Sequence, residues 1–377
     1  MLLISRSAYE DRRKCARAFY YRYLYARTGY AESRTPFHLA FGIALHAGME
    51  SLMRGARLEG DGVVLGVNDA VHAAHAAWTA ERPGGSFPPS EPPEPEVLAL
   101  LEALVRGWCR VEAERFFSEY EVVSVEREGE PQPLSPSAAL QFRADVVVRS
   151  RWSGALRVIN WKTSSGWGDW TDSWTSEVQA FSEAWALARE AGEPVEGTVM
   201  AGFHKGSMRQ TGGETHFSSP LIWGYKRRLA DGTWIYSSET KAPPKAETPW
   251  VKFKVWEEEF EGVGFGVEAW LRWLPAHAVA ASFMTSEPLV GHPKTVAAFI
   301  EAAGREARDD HHVLADGSEA DKLAHFIPKF GKFSCGTRDK PACAFWRVCF
   351  TDASVEDLIA EGLLVPRVDH HAPKEGS

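Results

Sequence analysis

Asp145, Asn160 and Lys162 stand in the stretch QFRADVVVRSRWSGALRVINWKTS, residues 141–164. It reads as two short apolar strands, 141–149 and 155–161, around a Ser-Gly turn. Asp145 falls inside the first strand. Asn160 and Lys162 end the second, two residues apart and so on one side of it. Metal-assisted phosphodiester hydrolysis needs oxygen ligands for Mg²⁺ or Mn²⁺ and a cation beside the attacking water. Asp145 would then be a direct ligand and Asn160 a second. Lys162 would orient the water or neutralise the phosphorane. The irregularity is Asn160, a neutral amide where a second carboxylate is expected. On this spacing alone, a surface hairpin with incidental polar residues fits equally well.

Four further side chains belong to the same question. His46 is a single imidazole on the apolar stretch FGIALH, one turn from Gly42 on the same helical face. Glu126 stands in the alternating stretch YEVVSVERE, and Gln179 and Glu183 lie one turn apart in WTSEVQAFSEAWALAREA. Each has an ordinary explanation: a core histidine, an exposed strand position and two solvated helix positions.

A second constellation is made of sulfur. Cys335, Cys343 and Cys349 lie in GKFSCGTRDKPACAFWRVCF among Phe333, Phe345, Trp346 and Phe350. Three clustered thiolates need a fourth ligand for Zn²⁺ or a [4Fe–4S] cluster, and Cys15 is the remaining candidate. Chemistry alone leaves zinc and iron–sulfur open. Cys109, within LLEALVRGWCRVEAERFF, reads as a small buried hydrophobe.

The elements that must position these groups follow from periodicity. Helices are expected over 7–29 with Ser7 as N-cap, over 36–56, 67–81 and 96–119, and over 174–191, ending at Ala191-Gly192. Strands are expected over 120–128, in the opening hairpin and over 195–206; the strand–helix–strand order suggests a βαβ crossover. A Pro-rich loop covers 81–96, residues 207–260 read as strand-rich, and a tryptophan-containing helix is expected over about 260–274. One short helix and a frayed end follow residue 350.

The 377 residues include 44% hydrophobic and 25% charged, ordinary for a globular chain. No apolar run approaches the roughly 20 residues of a membrane span, and charge arrives too early for a secretory signal. A cytoplasmic protein is expected. The net charge of −9 argues against a coat of positive potential. Local basic strips still exist, at Arg12–Arg27, Lys226–Arg228 and Lys329–Arg347. Trp167, Trp170 and Trp174 could stack on bases or simply pack.

Taken in order, these pieces resemble the PD-(D/E)xK nucleases of the RecB/AddB type, including CRISPR-adaptation exonucleases and phage relatives, over residues 4 to about 350. The resemblance runs through SRSAYEDRRKC ending at Cys15, GIALH ending at His46, VERE at Glu126, FRAD at Asp145, NWK at Asn160 and Lys162, and the helix of Gln179. FRAD lacks the family's Gly, NWK has Asn for the acid, and Glu183 stands where the family has Tyr. The resemblance implies that His46 and Asp145 are metal ligands, Lys162 the catalytic lysine and Gln179 an organiser of the site or of DNA. It also implies a [4Fe–4S] clasp of Cys15 with Cys335, Cys343 and Cys349. Glu183 is then either an acid that has moved to the neighbouring helix, or a solvated residue beside a weakened site.

The expectation is one α/β nuclease domain over 1–350, a restriction-endonuclease-like mixed central sheet flanked by helices. Residues 36–119 would be a helical insertion, 207–260 a β-rich insertion, 329–350 the clasp and 351–377 a tail. The expected activity is Mg²⁺/Mn²⁺-dependent exonuclease cleavage of single-stranded DNA or duplex ends, in recombination, repair or phage DNA processing. The rivals are a nuclease-like DNA-binding protein that has lost hydrolysis and a zinc-stapled interaction domain.

Overall fold

The computed structural model describes residues 1–59, 62–82, 94–164, 178–204, 221–228, 230, 234–237, 251–256, 283–328, 336–337, 340–341 and 343–367. The elements that matter for the site are, in chain order, α1 (Arg6–Lys14), α2 (Phe37–Gly55), α3 (Val67–Glu81), α4 (Glu94–Val111), β1 (Tyr120–Glu128), β2 (Arg143–Ser150), β3 (Leu156–Ser164), α5 (Val178–Ala191), β4 (Val195–His204), β5 (Phe283–Thr285) and α6 (Pro293–Asp316). The strands form one mixed sheet in the order β5-β4-β3-β2-β1. Only β3 and β4 run parallel, with α5 between them in the chain, so the expected βαβ unit is present. The fold is α/β, as expected for a restriction-endonuclease-like chain.

The sequence of β2 and β3 explains their central place. Val146, Val147, Val148, Val158 and Ile159 are all essentially buried, the run of apolar residues that a strand covered on both faces requires. On one face Val146, Val148, Ile159 and Trp161 pack in a core with Phe41, Leu45, Met49 and Trp78 of α2 and α3 and with Leu101 and Trp108 of α4. Gly48 allows α2 and α3 to close: a Cβ there would meet Ala74 Cβ at 3.0 Å and Ala70 O at 3.1 Å. On the other face Val147 and Val158 share a core with Phe181 and Leu187 of α5, Phe299 and Ala303 of α6, and Phe19, Phe345, Leu358 and Leu364 from the chain ends.

Two expected helices are broken. The helix expected over 7–29 stops at Lys14; Cys15 is extended (φ −160°, ψ 107°), and a short helix, a π turn and a 3₁₀ turn follow. Five aromatics between Phe19 and Tyr25 cannot share one face of a continuous helix. The break lets Phe19, Tyr20 and Tyr21 be buried together, with Tyr20 stacked on Phe326 at 4.9 Å. The helix expected over 96–119 likewise divides at Glu112, and a second segment, Ala113–Glu119, turns Phe116 and Phe117 inward.

Residues 221–228, 234–237 and 251–256 form a three-stranded antiparallel sheet, in keeping with the strand-rich reading of that region. The helix expected over 260–274 lies outside the described residues, as do Trp167, Trp170, Trp174, Cys335 and most of the Pro-rich loop. Past residue 350, Val355, Leu358 and Leu364 are buried, and Leu364–Pro366 pairs antiparallel with Tyr30–Glu32. Among the described residues no helix is long and apolar enough to cross a membrane.

Much of the N-terminal basic strip is used internally. Arg12 grips Asp310 of α6 with two nitrogens, at 2.6 and 2.8 Å, and Glu306 with a third contact at 2.6 Å. Arg17 donates to the carbonyls of Phe326 and Leu323, and Arg22 pairs with Asp11 at 2.6 Å. The strip is thus chiefly a docking surface for α6 and the segment after it; Arg13 and Lys14 are its exposed members. The charge density that suggested DNA contact is offset by acids far away in sequence.

Candidate active site

The ladder between β2 and β3 runs from Arg149↔Leu156 to Val146↔Ile159. Beyond it the next backbone donor is taken by a side chain: Trp161 N donates to Asp145 Oδ2 at 2.8 Å. This bond fixes the Asp145 carboxylate at the end of the hairpin ladder. On the other side of β2, the register Val125↔Val146 and Arg127↔Ala144 brackets Glu126 opposite Asp145. Glu126 is there in the left-handed region, φ +49°. A non-glycine residue held there is strained by about 1–3 kcal/mol, and such strain gathers at functional sites. From α2, His46 brings Nδ1 to 3.6 Å from Asp145 Oδ2.

Among the described residues, His46, Glu126 and Asp145 form the group of three that could hold a metal ion, one ligand atom of each within 4.8 Å of the others. Glu126 Oε2 is also 3.1 Å from Arg143 Nε.

Asn160 follows Ile159, whose ladder partner Val146 follows Asp145, so it stands next to this group. Asn160 is fully buried, its Nδ2 donates to Glu183 Oε2 at 2.7 Å, and its Oδ1 has no hydrogen-bond partner. A buried carbonyl oxygen without a donor costs about 1–3 kcal/mol. A cation would remove that cost. Imidazole, carboxylates and an amide oxygen form a donor set suited to a hard divalent ion of the Mg²⁺ or Mn²⁺ kind. The residues present fit such an ion.

Glu183 is buried, not solvated, which corrects the reading of this position as an exposed helix residue. Gln179 and Glu183 both face the sheet because they lie one turn apart on α5. Burial pushes the Glu183 carboxyl up to about 7, and the Asp145 charge adds to the rise; the Asn160 hydrogen bond, Arg6 and Lys162 pull it back. Gln179 is buried too, and its Oε1 accepts from Lys162 Nζ and, at 2.9 Å, from an Arg6 guanidinium nitrogen. Hence the structure brings together His46, Glu126 and Asp145, pairs Asn160 with Glu183, and ties Lys162 to Gln179.

Two residues close to this cluster were not singled out from the sequence: Arg6 and Arg143. Arg143 occupies the second position of FRAD, so its neighbourhood with Asp145 was legible. Arg6 lies 173 residues from its partner Gln179, and no local pattern points to it.

The cysteines divide between described and undescribed parts. Among the described residues Cys15, Cys109, Cys343 and Cys349 form no disulfide, and Cys15 is buried. The Tyr21 hydroxyl is pushed up first by burial, with Cys349 among the smaller causes. Arg22 loses to burial but is held high by Asp11, with a contribution from Cys343. Cys343 and Cys349 therefore lie within electrostatic reach of the segment that follows Cys15. Burial pushes the Cys109 thiol up to about 11, in keeping with its role as a packed hydrophobe.

No curated protein matches the chain. A family model described as the PD-(D/E)XK nuclease superfamily matches residues 3–349. With the ligand-type residues of β1, β2 and α2 beside the Lys162–Gln179 pair, and that match over nearly its whole length, the chain belongs to the PD-(D/E)XK nuclease superfamily.

Proposed function

We propose that the protein is a Mg²⁺- or Mn²⁺-dependent DNA exonuclease acting on single strands or duplex ends. The observation that carries the reading is the buried Asn160–Glu183 pair beside His46, Glu126 and Asp145. In it a carboxylate from α5 stands against the amide that occupies position 160. His46, Glu126, Asp145 and the free Oδ1 of Asn160 would hold the ion, which when bound polarises the scissile phosphate and a water. Asp145 is oriented by the Trp161 amide. Glu183 holds the Asn160 amide so that its oxygen is the atom left for the ion. Lys162, steadied by Gln179, would supply the ammonium that orients the attacking water or neutralises the phosphorane.

Cys15, Cys335, Cys343 and Cys349 would close a [4Fe–4S] clasp between the two ends of the chain. Supporting this are the burial of Cys15 and the reach of Cys343 and Cys349 to Arg22 and Tyr21. A colourless protein carrying zinc after anaerobic purification would replace the iron assignment.

The test is cleavage of end-labelled single-stranded and duplex DNA with Mn²⁺. Lys162→Ala is expected to lose at least about 100-fold in rate. Glu183→Gln is expected to lose about 100-fold, and Asn160→Asp combined with Glu183→Gln to recover most of it, because the carboxylate returns to β3. Failure of the double variant to recover would sink the migrated-acid assignment. A second reading, a nuclease-like DNA-binding protein without hydrolysis, is favoured by the raised Glu183 carboxyl, which is partly uncharged near neutrality. DNA binding without Lys162-dependent cleavage would establish it.

A further inference from the structure

Arg6 opens α1 and divides its guanidinium between two partners. One nitrogen donates to Glu10 Oε2 at 2.9 Å on the same helix, and another to Gln179 Oε1 at 2.9 Å on α5. The first contact is an ordinary i,i+4 brace. The second reaches the oxygen that also accepts from Lys162 Nζ. A carboxamide oxygen offers two lone pairs. Here both meet cationic donors.

The consequence is an orientation lock. If the Gln179 amide turned over, its NH₂ group would face an ammonium and a guanidinium, which offer only donors. With Lys162 alone the flip would give up one charge-assisted bond; with Arg6 it gives up two. Gln179 is buried, so a lost partner is not replaced by bulk water. Arg6 is itself held by its place on α1, which Arg12 anchors through Asp310 and Glu306 of α6. α1 therefore delivers a cation to a candidate site whose other groups come from the sheet and from α2 and α5.

We infer that Arg6 is a positioning residue of the nuclease site: by fixing the Gln179 carboxamide oxygen towards Lys162, it sets where the Lys162 ammonium sits. The inference rests on Lys162 being the catalytic lysine. Its role is indirect, through Gln179, and it makes docking of the N-terminal helix a condition for an aligned lysine. An aligned lysine matters for turnover, while grip on the DNA backbone is left to other groups. The signature is thus a fall in kcat with KM little changed.

Two readouts test it. In Mn²⁺-dependent cleavage, Arg6→Gln is expected to lower kcat about 10-fold, in the range of residues that orient a site from behind, with KM within about twofold by the same criterion. Arg6→Lys, which keeps one cationic donor, is expected to recover part of the loss. In a Gln179→Ala background most of the Arg6→Gln loss should disappear, since the hydrogen-bonded route through the Gln179 oxygen is gone. A loss that persists there in full would assign Arg6 to helix docking and overturn the inference. The second readout does not need turnover. The chain has only four glutamines, at 132, 141, 179 and 210, so selective ¹⁵N-glutamine labelling resolves the Gln179 side-chain amide, assigned by its absence in Gln179→Ala. Arg6→Gln and Lys162→Met should each move that signal, and the Lys162→Met shift should shrink when Arg6→Gln is already present. A Gln179 signal indifferent to Arg6→Gln overturns the inference, whether or not the wild type cuts DNA. Absence of cleavage by the wild type with the coupled shifts intact would remove the nuclease reading and leave the Arg6–Gln179–Lys162 lock in place.

Discussion

At the scale of single residues, the Asn160–Glu183 pair concentrates the chemistry. An Asn in a fully buried place leaves its oxygen without a donor, and a Glu on the neighbouring helix takes up its nitrogen. The Glu183 carboxyl, ordinarily near 4.5, is raised to about 7, chiefly by burial. A group whose folded pKa lies above its unfolded value binds its proton more tightly when folded. Its stabilising contribution is complete below about pH 4.5 and is lost as pH rises through about 7. At about 1.4 kcal/mol per unit the whole effect is roughly 3 kcal/mol. In chelator-treated protein, Glu183→Gln should resist urea better than the wild type at about pH 8 and keep no such advantage near the unfolded carboxyl pKa. Equal midpoints for the two proteins at alkaline pH would refute the burial of an ionisable acid here.

At the scale of elements, β1 and α5 each perform a task that their propensities alone would not suggest. β1 places Glu126 opposite Asp145 only by holding it at φ +49°. Alanine in that conformation carries the Cβ penalty and glycine does not. Glu126→Gly should therefore be more stable to urea than Glu126→Ala by about 1 kcal/mol, the reverse of the usual order for a strand. Both should bind Mn²⁺ more weakly than the wild type in calorimetric titration. If alanine proves the more stable, the left-handed assignment is wrong. α5 acts differently: its period of about four residues aims Gln179 and Glu183 together at the end of β3, so one helix serves both the lysine and the amide.

At the scale of the whole molecule, the chain ends are built into the site's support. α1 and the segment after it dock on α6 through Arg12, Asp310 and Glu306, and the strand Tyr30–Glu32 is paired by Leu364–Pro366. Asp310 is fully buried and accepts from Nε and one terminal guanidinium nitrogen of Arg12; His325 Nε2 lies 2.7 Å from its Oδ1. Removing one partner of a buried ion pair leaves the other desolvated and unpaired. Asp310→Ala should cost about 3–5 kcal/mol in urea denaturation. Because α1 also carries Arg6, the fraction of folded Asp310→Ala protein should cleave DNA more slowly than its stability loss alone explains.

The sequence by itself determined the kinds of candidate ligand, their order along the chain, four of the five strands of the central sheet and the βαβ unit, but not the edge strand Phe283–Thr285. Those follow from local patterns: apolar runs in β2 and β3, helical spacing in α2 and α5, and short strings of residues such as GIALH, FRAD and NWK. It also placed Asn160 as the point of departure and Glu183 as the acid that could answer it. Whether Glu183 was solvated or buried, only the tertiary structure decided, because a helix period says which residues share a face and not what that face meets. The break at Cys15 arises in the same way: helix propensity favours continuity, and burying Phe19, Tyr20 and Tyr21 together overrides it. Arg6 and the basic strip show the limit most clearly. Their charges were visible at once, but their partners Gln179, Glu306 and Asp310 lie 173, 294 and 298 residues from the arginines that hold them. Only the packing of α1 against α5 and α6 turned an apparent DNA-facing surface into a support for the active site.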